Sequence, residues 1–149
     1  MKEDKVKKPK LKTQLESAGA EYLVLGELLR RRIQAFIVSQ NFEAYDIVAV
    51  NTKKNLSVKI QVKSRFIAKA NGFPIHKIGT DFVVFVRLNI TKKTNGGFNY
   101  SESPEFFILP ILEVKKKKSS DKYEKANFKK TFLEQYKNKW DLINKELKM

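Results

Sequence analysis

Apolar residues recur every three or four positions from Thr13 onward, which predicts an amphipathic helix. The stripe expected to face the core is Leu15, Ala18, Tyr22, Leu25 and Leu29. The stretch Thr13-Gln14-Leu15-Glu16 resembles a capping box, and Arg30-Arg31-Arg32 suits the negative end of the helix dipole. Gly19 and Gly26 lie inside this helix, which suggests close packing against a sheet.

Short apolar runs typical of β-strands follow the helix. Two of them, at 35–38 and 46–50, precede a strictly alternating run over 56–63. The polar stretch 51–55 between the last two runs has the length of a hairpin link. We therefore expect the second and third strands to pair antiparallel.

Further strands are predicted at 82–86 and at 105–109. The run at 82–86 is apolar at every position, which is typical of a strand buried on both faces. A loop is expected at 71–74, a turn is marked by Asn95-Gly96-Gly97, and Pro110 stops the later strand.

The end of the chain predicts a basic tether followed by a helix over about 122–148. Its apolar stripe is expected to face the core and consists of Phe128, Phe132, Tyr136, Trp140, Ile143 and Leu147. The order of elements predicts one α/β domain over residues 14–149, with a mixed central sheet flanked by helices. Residues 1–13 are polar and rich in lysine, and we interpret them as a flexible basic arm.

Composition excludes several classes of protein. The chain has 149 residues and no cysteine, so a disulfide scaffold and a thiol nucleophile are excluded. His76 is the only histidine, which excludes a site built from two imidazoles. No apolar run approaches the length of about 18 residues that a membrane span needs, and no secretory signal is recognisable. We expect a cytoplasmic protein that does not enter a membrane.

The formal net charge of +15 is distributed unevenly. Six lysines against two acids give residues 1–13 a charge of +4, and twelve against five give residues 115–149 a charge of +7. Basic ends favour a polyanionic partner such as nucleic acid, because binding releases counterions. Two alternatives are a lysine-rich surface that only interacts with water and an anionic membrane surface.

The alternating strand carries the candidate chemistry. Val58, Ile60 and Val62 share one face, so Gln61 and Lys63 lie on the other. In an antiparallel hairpin, the start of one strand lies beside the end of the next. Asp46 is therefore expected near Gln61 and Lys63.

Two oxygen ligands and an ammonium group suit metal-assisted hydrolysis of phosphodiesters. A hard divalent cation prefers oxygen ligands, polarises the phosphate and lowers the pKa of its bound water. Lysine can orient that water or offset charge in the transition state. Glu21 on the first helix is the natural additional carboxylate.

These residues resemble the core of the PD-(D/E)XK nuclease superfamily, which includes type II restriction endonucleases and Holliday junction resolvases. The resemblance covers roughly residues 14–114 and rests on the order helix-glutamate, strand-aspartate, hairpin and acid-X-lysine. The matching stretches are Gly19-Ala20-Glu21-Tyr22-Leu23-Val24, Glu27-Leu28-Leu29, Tyr45-Asp46-Ile47-Val48, Ile60-Gln61-Val62-Lys63-Ser64, 81–86 and 104–110.

The resemblance implies a restriction-endonuclease-like fold and a Mg²⁺-dependent DNA endonuclease, with Mn²⁺ as an alternative ion. It implies that Asp46, Gln61 and Glu21 are metal ligands and that Lys63 is the catalytic lysine. Two positions depart from the pattern. Gln61 stands where the superfamily usually has Asp or Glu, which removes one negative charge, and Tyr45 replaces proline.

Residues beyond the motif are candidates for binding nucleic acid. They are Ser64, Arg65, Lys115, Lys116, Lys117 and Lys118. A homodimer or higher homo-oligomer is an open alternative, because two scissile strands suit two active sites. Two other functions stay open: a module of this fold that holds DNA or a branched junction without cutting it, and a basic RNA-associated protein.

Overall fold

A computed structural model describes residues 13–39 and 44–149 of the chain. The predicted arm over 1–13 lies outside the described residues except for Thr13. Within these ranges the chain forms four helices and nine strands. In chain order they are α1 (Gln14–Arg30), β1 (Gln34–Ile37), β2 (Ile47–Asn51), β3 (Leu56–Arg65), β4 (Gly72–Pro74), β5 (Phe82–Arg87), β6 (Thr91–Lys92), β7 (Phe98–Asn99), β8 (Glu105–Pro110), α2 (Ile111–Lys117), β9 (Lys125–Asn127), α3 (Lys130–Glu134) and α4 (Asp141–Glu146).

Five strands form the central sheet, in the order β1-β2-β3-β5-β8. β3 and β5 pair parallel, whereas the other neighbours pair antiparallel. The predicted mixed sheet and the predicted antiparallel hairpin of β2 and β3 are therefore confirmed. In the register of the sheet, Ile60 on β3 pairs with Ile47 on β2 and with Phe82 on β5.

β5 is buried at all six positions, as its apolar sequence predicts. Alternate side chains enter two separate cores, because successive residues of a strand face opposite sides of the sheet. Val84 and Val86 pack into the first core, and Val83 and Phe85 pack into the second. The sheet is covered on both faces over its middle.

The helices close both faces of the sheet. α1 and α4 cover the first core, to which Val24, Leu28 and Ile143 contribute fully buried side chains. The second core lies under α2, α3 and the small antiparallel pair of β4 and β9. The prediction of a loop at 71–74 is wrong in part, since Gly72–Pro74 forms the strand that pairs with β9. No helix in the described ranges is long and apolar enough to cross a membrane.

The predicted limits of α1 are correct, but the predicted buried face is wrong for most of its residues, although Leu25 is partly buried against the first core. The residues of α1 that are buried are Ala20, Val24 and Leu28, whereas Leu15 and Tyr22 are 85% and 67% exposed. The helix carries two neighbouring apolar stripes, and the one with smaller side chains at positions 20 and 24 packs against the sheet.

Two further expectations about α1 are also wrong. Thr13 makes no side-chain capping hydrogen bond. Gly19 and Gly26 do not mark a close approach, because a Cβ on either would have no neighbouring atom within 4 Å. The glycines therefore lie on the side of the helix that the sheet leaves uncovered.

The single C-terminal helix predicted over 122–148 is replaced by β9, α3 and α4. The predicted stripe does pack on the core, but its two halves lie in different cores. Phe128, Phe132 and Tyr136 pack in the second core; Trp140, Ile143 and Leu147 pack in the first. A continuous helix could not reach both faces of the sheet. Likewise, the predicted tether at 115–118 is helical up to Lys117.

The chain crosses from one face to the other along the edge of β8. Ile108 N–H donates to Tyr136 O at 3.0 Å, and Asn138 N–H donates to Phe106 O at 2.9 Å. Asn138 has a φ of 55°, in the left-handed region where asparagine is tolerated better than most residues. These bonds hold the crossing and satisfy backbone groups on the outer edge of β8.

The buried face of α1 can be tested with two adjacent leucines. Leu28 is fully buried and Leu29 is 50% exposed. We expect Leu28→Ala to lower the free energy of unfolding by about 2–5 kcal/mol, because it leaves a cavity in the core. Leu29→Ala should change it by about 0.5 kcal/mol or less. Urea denaturation measures both, and a larger loss for Leu29→Ala would contradict the assigned face.

Candidate active site

The hairpin of β2 and β3 places Asp46 against the later half of β3. The backbone N–H of Asp46 donates to Ile60 O at 2.9 Å. Its carboxylate Oδ2 accepts a hydrogen bond from the backbone N–H of Val62 at 2.7 Å. Two bonds to β3 thus fix Asp46 at the level of residues 60–62, beside Gln61 and Lys63.

Strand alternation sets which side chains of β3 join this site. Val58 and Ile60 are buried in the first core, so Gln61 and Lys63 lie on the opposite face. On β5 they pair with Val83 and Phe85, which belong to the second core. Both polar side chains are half-buried at the edge of that core. Lys59 lies on the same face, nearer the start of β3, and is exposed. Its Nζ atom lies 5.5 Å from the centre of the Tyr45 ring.

α1 contributes the second carboxylate. Glu21, Asp46, Gln61 and Lys63 line one cleft of about 380 Å³. An adjoining cleft of about 570 Å³ shares Glu21 and Asp46, which therefore lie where the two clefts meet. The structure thus brings together the four residues that the sequence singled out.

The charged groups of the cleft perturb one another. Burial raises the pKa of Glu21, and the nearby Asp46 carboxylate raises it further. Burial raises the pKa of Asp46, against the opposing effects of the Val62 N–H and the Lys63 ammonium. Burial lowers the pKa of Lys63, although Asp46 acts in the opposite direction. Two half-buried carboxylates that repel each other would be stabilised by a bound cation.

The side-chain oxygen of Gln61 completes the set of possible metal ligands. This Oε1 atom is buried and has no hydrogen-bond partner within the described residues. A buried acceptor without a partner costs free energy that a cation would remove. In the described ranges no three His, Asp or Glu residues cluster, so the cleft offers two carboxylates and one amide oxygen. This all-oxygen set fits Mg²⁺, which usually keeps several waters and binds few protein ligands.

The other predicted nucleic-acid contacts are divided between two places. Ser64 and Arg65 line the cleft, and Arg65 Nε is buried without a hydrogen-bond partner within the described residues. The four lysines 115–118 do not line it. Lys116 pairs with Glu113 at 3.3 Å, and Lys118 lies 3.9 Å from Glu124. Lys115, Lys116 and Lys117 are exposed on α2, and Lys118 directly follows the helix.

Sequence reasoning missed five residues that line the cleft: Thr13, Ser17, Val62, Phe73 and Pro74. Ser17 lies one helical turn before Glu21, so helical spacing could have placed the two on one face. Phe73 and Pro74 had no such signal, because the position of β4 depends on its pairing with β9, a strand that is distant in the sequence.

Comparisons with known proteins support the fold. No family model matches the chain, and no curated protein matches it. Among solved structures, the chain is similar to the bacterial homing endonuclease I-Ssp6803I, with a TM-score of 0.59 and 17% sequence identity. The match covers 90% of this chain and 92% of that one. The chain therefore has a mixed α/β fold similar to that of a nuclease.

The destabilising effect of burying the charged Asp46 carboxylate can be tested in the absence of divalent metal. Because the pKa of Asp46 is raised on folding, its charged form destabilises the folded state, and stability is regained as pH falls through the raised value. We expect Asp46→Asn to raise the melting temperature at pH 7. The difference in melting temperature from wild type should shrink as pH falls and vanish below about pH 3.9, where the carboxyl of the unfolded chain is also protonated.

Scanning calorimetry between pH 7 and pH 3 measures this difference. A variant less stable than wild type at pH 7 would show that the hydrogen bond to the charged carboxylate outweighs its burial. Asp81→Asn is the control, because Asp81 Oδ2 also accepts a backbone hydrogen bond, from Lys59 N–H at 2.8 Å, but lies outside both clefts.

Proposed function

We propose that this protein is a metal-dependent endonuclease that hydrolyses phosphodiester bonds of DNA. The observation that carries the proposal is the buried, unpartnered Oε1 of Gln61 in a cleft with Glu21, Asp46 and Lys63. The similarity to a homing endonuclease and the net charge of +15 support it. The arrangement also agrees with the PD-(D/E)XK pattern, with glutamine in the usual acidic position.

Asp46, Glu21 and the Gln61 amide oxygen would hold Mg²⁺ or Mn²⁺. When bound, such an ion polarises the phosphate and lowers the pKa of a bound water. The hydrogen bond from Val62 N–H keeps the Asp46 carboxylate in one orientation. Because Gln61 is neutral, Glu21 and Asp46 supply the negative charge that the described residues bring to the cleft, so each should contribute strongly to metal binding.

Lys63 has two properties that suit a role in hydrolysis. Its ammonium can donate hydrogen bonds to a phosphate oxygen or to the attacking water, and it offsets negative charge in the transition state. Its pKa is lowered by burial, which makes release of a proton easier than from an exposed lysine. Overall, water adds across one P–O bond, leaving one strand end with a phosphate and the other with a hydroxyl.

DNA would lie across the mouth of the cleft. Ser64 and Arg65 follow Lys63 directly and line the same cleft, where they can bind a phosphate next to the scissile one. The excess of lysine elsewhere would attract the duplex without sequence preference. We therefore expect DNA binding to weaken steeply with salt.

Lys63 has a matched control on its own strand. We expect Lys63→Ala to lower the rate of metal-dependent cleavage by about 100-fold or more, because a donor to the transition state is lost. Lys59→Ala removes the same charge from the same face of β3, outside the cleft, and should keep nearly the full rate. Nicking of supercoiled plasmid and cutting of synthetic branched DNA in Mg²⁺ and in Mn²⁺ measure both. Equal cleavage by wild type and Lys63→Ala would remove Lys63 from the active site.

Metal binding can be measured without DNA. We expect the melting temperature of wild type to rise with Mg²⁺ concentration, since the ion binds the folded state. At a Mg²⁺ concentration 100 times the dissociation constant, the free energy of unfolding should increase by about 2.7 kcal/mol. Asp46→Asn and Gln61→Ala should each reduce the rise, because each removes a ligand. Asp81→Asn should leave it unchanged. An equal rise in all four proteins would place the cation elsewhere.

The neutral amide at position 61 favours a second candidate function, a module that holds DNA or a junction without cutting it. One fewer carboxylate weakens the attraction for a divalent cation. Salt-sensitive retention of DNA by wild type, with no cleavage in Mg²⁺ or Mn²⁺ and no thermal shift by either ion, would favour this candidate.

A further inference from the structure

A small β-hairpin projects from the end of the sheet that carries the cleft. This hairpin, the ribbon, consists of β6, β7 and the turn between them and spans residues 91–99. The pairing of β3 and β5 continues toward it. Leu88 N–H donates to Arg65 O at 2.9 Å, and Ile90 N–H donates to Phe66 O at 3.0 Å. Since Arg65 lines the cleft, the base of the ribbon lies directly beside the site.

One face of the ribbon is held against the protein. Phe98 packs edge-on against Phe66, with ring centres 5.3 Å apart. Lys92 lies opposite Phe98 in the pairing and Thr91 lies opposite Asn99. Directly opposed residues share a face, so Thr91 and Asn99 lie on the face turned away from Phe66.

The outward face carries short polar side chains. Thr91, Lys93 and Asn99 alternate onto it and are all exposed. The Asn99 Oδ1 atom accepts a hydrogen bond from Ser101 N–H at 3.0 Å, which orients the side chain and leaves its amide NH₂ able to donate. The sequence contains no Asp or Glu from Phe82 to Ser101, so nothing along this stretch repels a phosphate backbone.

We propose that the ribbon enters the major groove of duplex DNA and reads base edges beside the scissile phosphate. This inference rests on the proposed function and adds the element that selects the target. The major groove, about 12 Å wide, admits a two-stranded β-ribbon. Phe66 is three residues beyond Lys63, which is about 10 Å along the strand. Because base pairs are stacked about 3.4 Å apart, the ribbon should contact bases that begin roughly three base pairs from the cleaved bond.

The chemistry of the outward face favours base reading over phosphate binding. Asparagine pairs with adenine, lysine with guanine, and threonine with either a base edge or the thymine methyl group. Threonine and asparagine side chains can also bind phosphates, but the lysines elsewhere already attract the DNA backbone, which leaves the donors and acceptors of the ribbon for base edges. Lys93 is the single cation among Thr91, Lys93 and Asn99.

The test is selection from a pool of duplexes with 20 random base pairs, captured on the protein without divalent metal and sequenced. We expect wild type to enrich a motif. The triple variant Thr91→Ala/Lys93→Ala/Asn99→Ala should lose discrimination by about tenfold at one or more positions of that motif. Phe98 is kept in this variant, so the ribbon retains its contact with Phe66.

The control is Thr52→Ala/Lys53→Ala, which removes a hydroxyl and one charge from the exposed turn between β2 and β3 at the opposite end of the sheet. It should enrich the wild-type motif unchanged. Enrichment of the same motif by the triple variant, or of no motif by wild type, overturns the inference. Cleavage of plasmid in Mg²⁺ by wild type and the triple variant is measured alongside. A motif that depends on the ribbon without any cleavage would overturn the nuclease proposal and support the reading role.

Discussion

The hydrogen bond from the Val62 N–H to the Asp46 carboxylate is the interaction on which the candidate site depends. It joins the residue before β2 to the later half of β3, at 2.7 Å, and so fixes the carboxylate beside Gln61 and Lys63. β3 can serve as a rigid support because it is the middle strand of the sheet, paired with β2 on one side and with β5 on the other. β3 therefore positions Asp46, Gln61 and Lys63 relative to one another.

The cleft concentrates polar groups that are costly to bury. The pKa values of Glu21 and Asp46 are raised, that of Lys63 is lowered, and the Gln61 oxygen lacks a partner within the described residues. Such groups are unfavourable for folding unless a ligand compensates them, and perturbed groups of this kind collect at functional sites. The two well-packed cores on either face of the sheet supply the stability that makes this local cost tolerable.

The fold also explains how the two halves of the C-terminal segment serve different purposes. Its first half, with β9 and α3, closes the second core and supports β4, which supplies Phe73 and Pro74 to the cleft. Its second half passes the edge of β8 and adds Trp140 to the first core. The crossing at Asn138 protects an edge strand that would otherwise present unpaired backbone groups.

The limits of α1, the β2–β3 hairpin, the buried character of β5 and the proximity of Asp46, Gln61 and Lys63 were all predictable from the sequence. These features follow from periodicity and from a short link, both of which act over a few residues. Three other features became visible only in the folded chain: which stripe of α1 is buried, the division of the C-terminal stripe between two cores, and the place of residues 91–99 beside the cleft. Those outcomes depend on which distant surface each apolar face meets, and local spacing carries no information about that choice.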